Sequence, residues 1–241
     1  MLPGADEGCI SRPMDAADTF RMALAPPHRA GTPFVIGGVV AFILGLLTAH
    51  WLAWLGLLFT LFCLYFFRDP ERVPPGRAGA LLAPADGKVI ALAPAIPPTE
   101  LGLGPVPRWR VGIFLSLVNV HVNRVPADGT VTRIAYRHGS FANASSDRAG
   151  EANERNAIAI RLPDGREIVV VQIAGLLARR ILCDLHEGDA VRAGERFGII
   201  RFGSRTDLYL PEGVRPLIAE GQTMVGGETV IADLASARMG P

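Results

Sequence analysis

The sequence predicts a mainly β protein, a β-sandwich or partly open barrel, preceded by an apolar helical hairpin. Three observations lead there. The run Pro33–Phe67 contains no Asp, Glu, Lys or Arg. Beyond it, short apolar runs rich in β-branched residues recur between turn residues, a strand pattern. Two motifs also repeat. Pro84-Ala85-Asp86-Gly87 returns as Pro126-Ala127-Asp128-Gly129. Glu187-Gly188-Asp189 with Gly194-Glu195 returns 33 residues later as Glu220-Gly221-Gln222 with Gly227-Glu228.

Residues 1–32 read as a polar, proline-containing lead-in, with a surface helix expected near 16–24. Residues 33–67 form the membrane-associated hairpin. One straight span would be too long, at about 1.5 Å per residue, for a hydrocarbon core of roughly 30 Å. Two spans broken near Thr48–His50 fit, at the short end of the spanning range. The run is long, starts late and lacks a small-residue cleavage site, so it does not read as a signal peptide. A helix buried in a soluble core would leave a polar stripe, and this segment has none. Arg12, Arg21 and Arg29 precede the run and Arg68, Arg72 and Arg77 follow it, which favours both ends in the cytoplasm. Trp51, Trp54, Tyr65 and the Phe66–Phe67 pair suit interfacial depth. Crossing and re-entry both stay open.

Asp69-Pro70 and Pro74-Pro75-Gly76 stop the helix, so residues 68–80 read as a linker. Residues 81–241 then form the β domain. Strands are expected over Lys88–Leu92, Arg110–Leu117, Thr130–Tyr136, Ala157–Leu162, Glu167–Ile173, Arg196–Phe202, Leu208–Leu210 and Thr229–Asp233. The Glu-Gly-Asp echo resembles the turns of biotinyl and lipoyl carrier domains, and two copies are too few for a solenoid.

A net charge of +1 gives no reason to expect nucleic acid as a partner. Cys9, Cys63 and Cys183 are odd in number and widely spaced, so neither a metal site nor a disulfide framework is expected. Of the 24 lysines and arginines, Lys88 is the sole lysine. A pyridoxal-phosphate enzyme would have to use it.

Two short segments could carry chemistry. Gly203-Ser204 ends an apolar, strand-like run. Glycine puts no Cβ in the way of attack on its own carbonyl, and a following serine can place its hydroxyl against that carbon, given a base and a site that stabilises the oxyanion. Alone, the dipeptide is an ordinary turn. His121, in Val120-His121-Val122-Asn123-Arg124, lies near a strand end in polar company. A carboxylate on one imidazole nitrogen would orient the ring and raise its basicity. Asp86 is a candidate for that role. Asp128 occupies an identical turn, and local sequence does not choose between them.

Several further segments combine with these: Phe67-Arg68-Asp69-Pro70-Glu71-Arg72, Pro84-Ala85-Asp86-Gly87, Asn153-Glu154-Arg155-Asn156, Gln172-Ile173-Ala174-Gly175 and Phe202-Gly203-Ser204. In this order the chain resembles the short form of phosphatidylserine decarboxylase, a pyruvoyl-dependent carboxy-lyase, from the hairpin to the C-terminus. The resemblance implies self-cleavage between Gly203 and Ser204. A 203-residue and a 38-residue chain would stay associated, with a homodimer of that pair left open. Ser204 would become the pyruvoyl group that condenses with the substrate amine as a Schiff base. His121 would act as base and acid and Asp86 would orient it. Phosphatidylserine would lose carbon dioxide to give phosphatidylethanolamine, at the cytoplasmic face of a bacterial-type inner membrane, without metal or pyridoxal phosphate. Arg124, Arg155 and Asn156 are candidates for substrate contact.

The longer forms carry Leu-Gly-Ser-Thr at the cut and a His-x-x-His pair; here these are Phe-Gly-Ser-Arg and His121-x-x-Arg124. His121 therefore either serves both maturation and turnover or shares the work with Arg124. A rival reading, a membrane-tethered biotinyl or lipoyl-type carrier or a lipid-binding module without chemistry, predicts one uncut chain. The carrier would be modified on Lys88.

Overall fold

A computed structural model describes residues 25–139, 153–175, 180–201 and 204–235. The expected N-terminal surface helix and Gly203 lie outside the described residues. After a 3-10 turn at Arg29–Gly31, helix α1 spans Thr32–Thr48 and helix α2 spans His50–Phe66. Pro33 sits in the first turn of α1, where its missing N–H costs nothing. Ala49 alone separates the helices, in an extended conformation, inside the window expected for the break.

Small residues let the two helices touch. A Cβ on Gly45 would come within 2.2 Å of the Ala53 nitrogen, and one on Gly56 within 2.4 Å of the Phe42 nitrogen. The outer faces leave Leu47, Trp51 and Trp54 exposed. The His28 N–H donates to the Phe67 carbonyl at 2.7 Å and the Asp69 N–H to the Pro26 carbonyl at 2.9 Å, so both ends of the hairpin emerge together. The helical segment Arg29–Thr48 is long and apolar enough to cross a membrane, with mean hydropathy 2.1; His50–Phe66 is shorter.

The β region contains β1 (Ala80–Leu82), β2 (Gly87–Ala95), β3 (Arg108–Leu115), β4 (Val122–Arg124), β5 (Gly129–Arg137), β6 (Arg155–Arg161) and β7 (Glu167–Ala174). It continues with β8 (Ile181–Cys183), β9 (Ala190–Val191), β10 (Arg196–Ile200), β11 (Ser204–Tyr209), β12 (Thr223–Met224) and β13 (Val230–Asp233). An eight-stranded antiparallel sheet in the order β12-β2-β3-β11-β7-β6-β5-β9 curls into a half-barrel. β4-β10-β8 and β1-β13 form two small sheets. The main core, with Val89, Ile113, Ile158, Val170, Phe197, Leu208 and Ile231, joins residues of the large and small sheets. A second cluster, including Leu101, Val171, Ile173 and Tyr209, lies on the other face of the large sheet.

The two sequence echoes meet in space. Gly188 N–H donates to the Val131 carbonyl and Val131 N–H to the Asp189 carbonyl, as Gly221 does to Val89 and Val89 to Gln222. Glu187 accepts from the Ile134 N–H just as Glu220 accepts from the Leu92 N–H. Strand order in the large sheet is correspondingly symmetric, with β12, β2 and β3 mirrored by β9, β5 and β6. The fold is a pseudo-twofold repeat. One half holds β4 to β10, and the other is built from β1 to β3 together with β11 to β13.

Candidate active site

Ser204 opens β11, in the middle of the large sheet, opposite Leu115 of β3 and Ala174 of β7. Alternation along the strand sends Thr206 and Leu208 to the same face as Ser204, toward the main core. Arg205, Asp207 and Tyr209 face the other way. Ser204 is fully buried, and its Oγ has no hydrogen-bond partner among the described residues. A buried hydroxyl left this way is costly unless it is used. On the opposite face Arg205 and Asp207 form a buried ion pair, with Nη2 to Oδ2 at 2.9 Å. Gly112 in β3 makes room for that guanidinium.

His121 stands between β3 and β4. The turn before it is closed by Asn119, whose Oδ1 accepts from the Ser116 N–H at 2.9 Å and from the Ser116 hydroxyl at 2.6 Å. That turn aims the Asn119 backbone carbonyl at His121 Nδ1, 3.0 Å away. A carbonyl only accepts, so the network assigns the proton to Nδ1 and leaves Nε2 with its lone pair. Nε2 is buried and unpartnered among the described residues. Burial pushes the imidazolium down to about 4; the Asn119 carbonyl opposes this and the Arg68 charge adds to it. The Phe66 ring, from the last turn of α2, covers the imidazole with centroids 4.2 Å apart. The Ile200 N–H donates to the His121 carbonyl at 3.3 Å, which places His121 against the end of β10, just before the chain runs on to Ser204.

Asp86 is held differently from expectation. Its Oδ1 accepts from the Gly226 N–H at 2.8 Å and its Oδ2 from Arg72 Nη2 at 2.7 Å. Burial raises its pKa and the Arg72 charge opposes that rise. The structure does not bring Asp86 onto His121 Nδ1, where the backbone carbonyl already sits. Asp128 takes the matching place in the other half, accepting from the Ala193 N–H, but it is exposed, so burial distinguishes the two aspartates.

The substrate-contact candidates all have internal partners. Arg124 donates to the carbonyls of Gly194 and Pro70 and to Asp69, tying the linker to β4. Arg155 pairs with Glu100. Asn156 belongs to a buried amide relay. It donates to Gln172 at 3.0 Å, Gln172 donates to Asn123 at 2.8 Å, and Asn123 donates to the Thr206 hydroxyl at 3.4 Å, two residues from Ser204. Sequence reasoning missed Asn119 and Phe66 as neighbours of His121. Asn119 lies beside the quoted motif, yet nothing local shows that its main chain would take the imidazole. Lys88 lies inside β2, opposite Phe114 and Thr223, and not at a hairpin tip as a carrier lysine would. Among the described residues, no three His, Cys, Asp or Glu side chains cluster as metal ligands would.

Comparison with known proteins converges on one family. The phosphatidylserine decarboxylase family model matches residues 59–232. The chain is 69% identical over 224 residues to the phosphatidylserine decarboxylase proenzyme of Granulibacter bethesdensis, covering 93% of this chain and 92% of that one. It is 60% identical over 225 residues to the proenzyme of Gluconobacter oxydans and 58% identical over 225 to that of Gluconacetobacter diazotrophicus. Each of these matches covers 92% of this chain and 100% of the relative.

Proposed function

The chain belongs to the phosphatidylserine decarboxylase family, and from that premise we propose that it cuts itself before Ser204 and decarboxylates phosphatidylserine at a membrane surface. It is a carboxy-lyase, and the proenzyme names of its relatives fit autocatalytic processing. One observation carries the residue assignment: Ser204 Oγ and His121 Nε2 are both buried and, among the described residues, unpartnered, at the two ends of the short path from β10 to β11.

In maturation, neutral His121 takes the Ser204 hydroxyl proton at Nε2, and Oγ attacks the Gly203 carbonyl carbon. The peptide nitrogen leaves as the ester forms. The ester then eliminates, leaving Gly203 with a free carboxylate, and residue 204 loses its nitrogen as ammonia on hydrolysis. Ser204 fits this fate, since its hydroxyl supports no other described contact. Asp86 acts here through Arg72 and Gly226, fixing the linker that follows the hairpin, and not by touching the imidazole.

In turnover the pyruvoyl ketone supplies the electron sink for loss of carbon dioxide. His121 Nε2, neutral at rest, takes up the solvent proton that decarboxylation consumes and returns it to the product carbon. Phe66 screens the imidazole from solvent. The hairpin holds the site against the bilayer: Tyr65 Oη and Arg68 both donate to the Val118 carbonyl, in a turn whose Leu117 and Val118 side chains are exposed apolar groups. Both hairpin ends emerge on one side, which suits the cytoplasmic face of an inner membrane. The 203- and 38-residue products remain one particle.

Intact mass of the purified protein tests this. Wild type is expected as two chains, the smaller beginning with a ketone at position 204, and Ser204→Ala as one. A single uncut chain in active wild type would sink the reading.

A further inference from the structure

Among the described residues, two arginines near the start of β11, Arg201 and Arg180, form no ion pair with a carboxylate. Arg72 of the linker and Arg124, Arg155, Arg196 and Arg205 of the β region each face a carboxylate. The Arg201 N–H donates to the Arg180 carbonyl at 3.3 Å, so the two side chains leave adjacent segments. Arg201 Nε is buried without a partner among the described residues, a costly state for a guanidinium nitrogen. Burial lowers the Arg201 pKa, and the neighbouring Arg180 charge lowers it further with no carboxylate opposing. An anion at this point would relieve both effects.

The position suggests which anion. The Arg201 guanidinium carbon lies 5.5 Å from the Phe34 ring centroid, in the first turn of α1, and Phe34 stacks on Phe67 at the other end of the hairpin. This is where the hairpin leaves the β domain, the junction that the preceding subsection sets against the bilayer. We propose that Arg201, assisted by Arg180, binds the phosphodiester of the lipid substrate. This rests on the reading of the preceding subsection. Arg201 is three residues before Ser204, so their Cα atoms are at most about 11 Å apart. In an aminophospholipid, one oxygen and two carbons separate phosphorus from the amine nitrogen. A phosphate held by the guanidinium therefore leaves the amine within reach of residue 204. Guanidinium suits the task, offering paired donors to phosphate oxygens.

Inorganic phosphate shares this chemistry, so the test includes both. Wild type, Arg201→Lys, Arg180→Ala and the double variant Arg180→Ala/Arg201→Ala are first checked for cleavage by intact mass, then assayed on phosphatidylserine in mixed micelles. The double variant is expected to raise KM about tenfold, the scale of one lost charge-assisted contact, with a much smaller change in kcat. Arg201→Lys should recover part of the loss. Sedimentation with phosphatidylserine-containing vesicles should be unchanged, since the hairpin remains. Inorganic phosphate should compete with lipid on wild type and lose that effect on the double variant. If the double variant does not cleave, Arg180→Ala and Arg201→Lys carry the KM comparison. A cleaved variant with wild-type KM overturns the subsite, as does a KM rise matched by lost vesicle binding, or phosphate inhibition with an unmoved lipid KM. Uncut wild type would instead overturn the parent reading.

Discussion

The role proposed for His121 as a base rests on where it is buried. A free imidazole protonates near 6.5 and His121 near 4, so between those values the unfolded chain binds a proton that the folded chain refuses. Stability is therefore expected to fall as pH drops from 6.5 toward 4, and His121→Gln should weaken that dependence in denaturant titrations, leaving the smaller share of His28, which burial also shifts down. The rate of self-cleavage of freshly made precursor should stay level down to about pH 5, and a half-rate near 6.5 would contradict the assignment. Arg205, on the face away from Ser204, gives a separate prediction. In the uncut Ser204→Ala background, Arg205→Ala leaves Asp207 buried and should cost about 3–5 kcal/mol in chemical denaturation. The double variant with Asp207→Ala should cost less than the sum of the singles. The sequence put His121 at the end of the strand that became β3 and the Gly-Ser pair at the end of another; β3 stops at Leu115, His121 stands just before β4, and Ser204 opens β11. It pointed to a carboxylate for Nδ1 because side chains can be read from a sequence, whereas the direction of the Asn119 carbonyl depends on a turn.

The helical hairpin was legible because an uncharged apolar run needs no tertiary information to be recognised, and length alone required a break. What the sequence did not show was how closely the helices approach. Gly45 meets Ala53 with no room for a Cβ, whereas Gly37, in the same helix, has nothing within 4 Å. Gly45→Leu should lower thermal stability in detergent, at a cost of about 1–3 kcal/mol for overpacking, while Gly37→Leu should leave it unchanged. Equal effects would show that the helices do not touch as described. The long strands were found within a few residues of their ends, except β11, of which only Leu208 and Tyr209 were expected. β1, β4, β8, β9 and β12 were missed, having two or three residues each, because such strands are defined by their partners and not by a run of their own. Arg124 illustrates the same limit. Read as a free cation near the site, it is bound to two carbonyls and Asp69 that lie far from it in sequence.

For the whole molecule, the strand pairing predicts that the products of the proposed cleavage stay together. β11 is paired on both sides, by β3 and β7, while β12 pairs with β2 and β13 with β1. The short chain should remain bound in native mass spectrometry and separate only in denaturant; its release on simple dilution would contradict this topology. The echoes that revealed the repeat were visible in the sequence, but their pairing was not, since the matching turns come from distant parts of the chain. The register of β11 carries a further consequence. Arg205 stands opposite Phe114 as Glu167 stands opposite Arg161, so β3 and β11 correspond to the hairpin β6–β7. In that hairpin residues 162–166 make the connection, with the Leu162 N–H on the Arg166 carbonyl. In the other half, the same junction is where the entire second copy has been spliced in. The bond proposed for cleavage thus falls on a seam, where the outer copy resumes after the inner one is finished, and neither copy has to give up a hairpin of its own for the chain to be opened there.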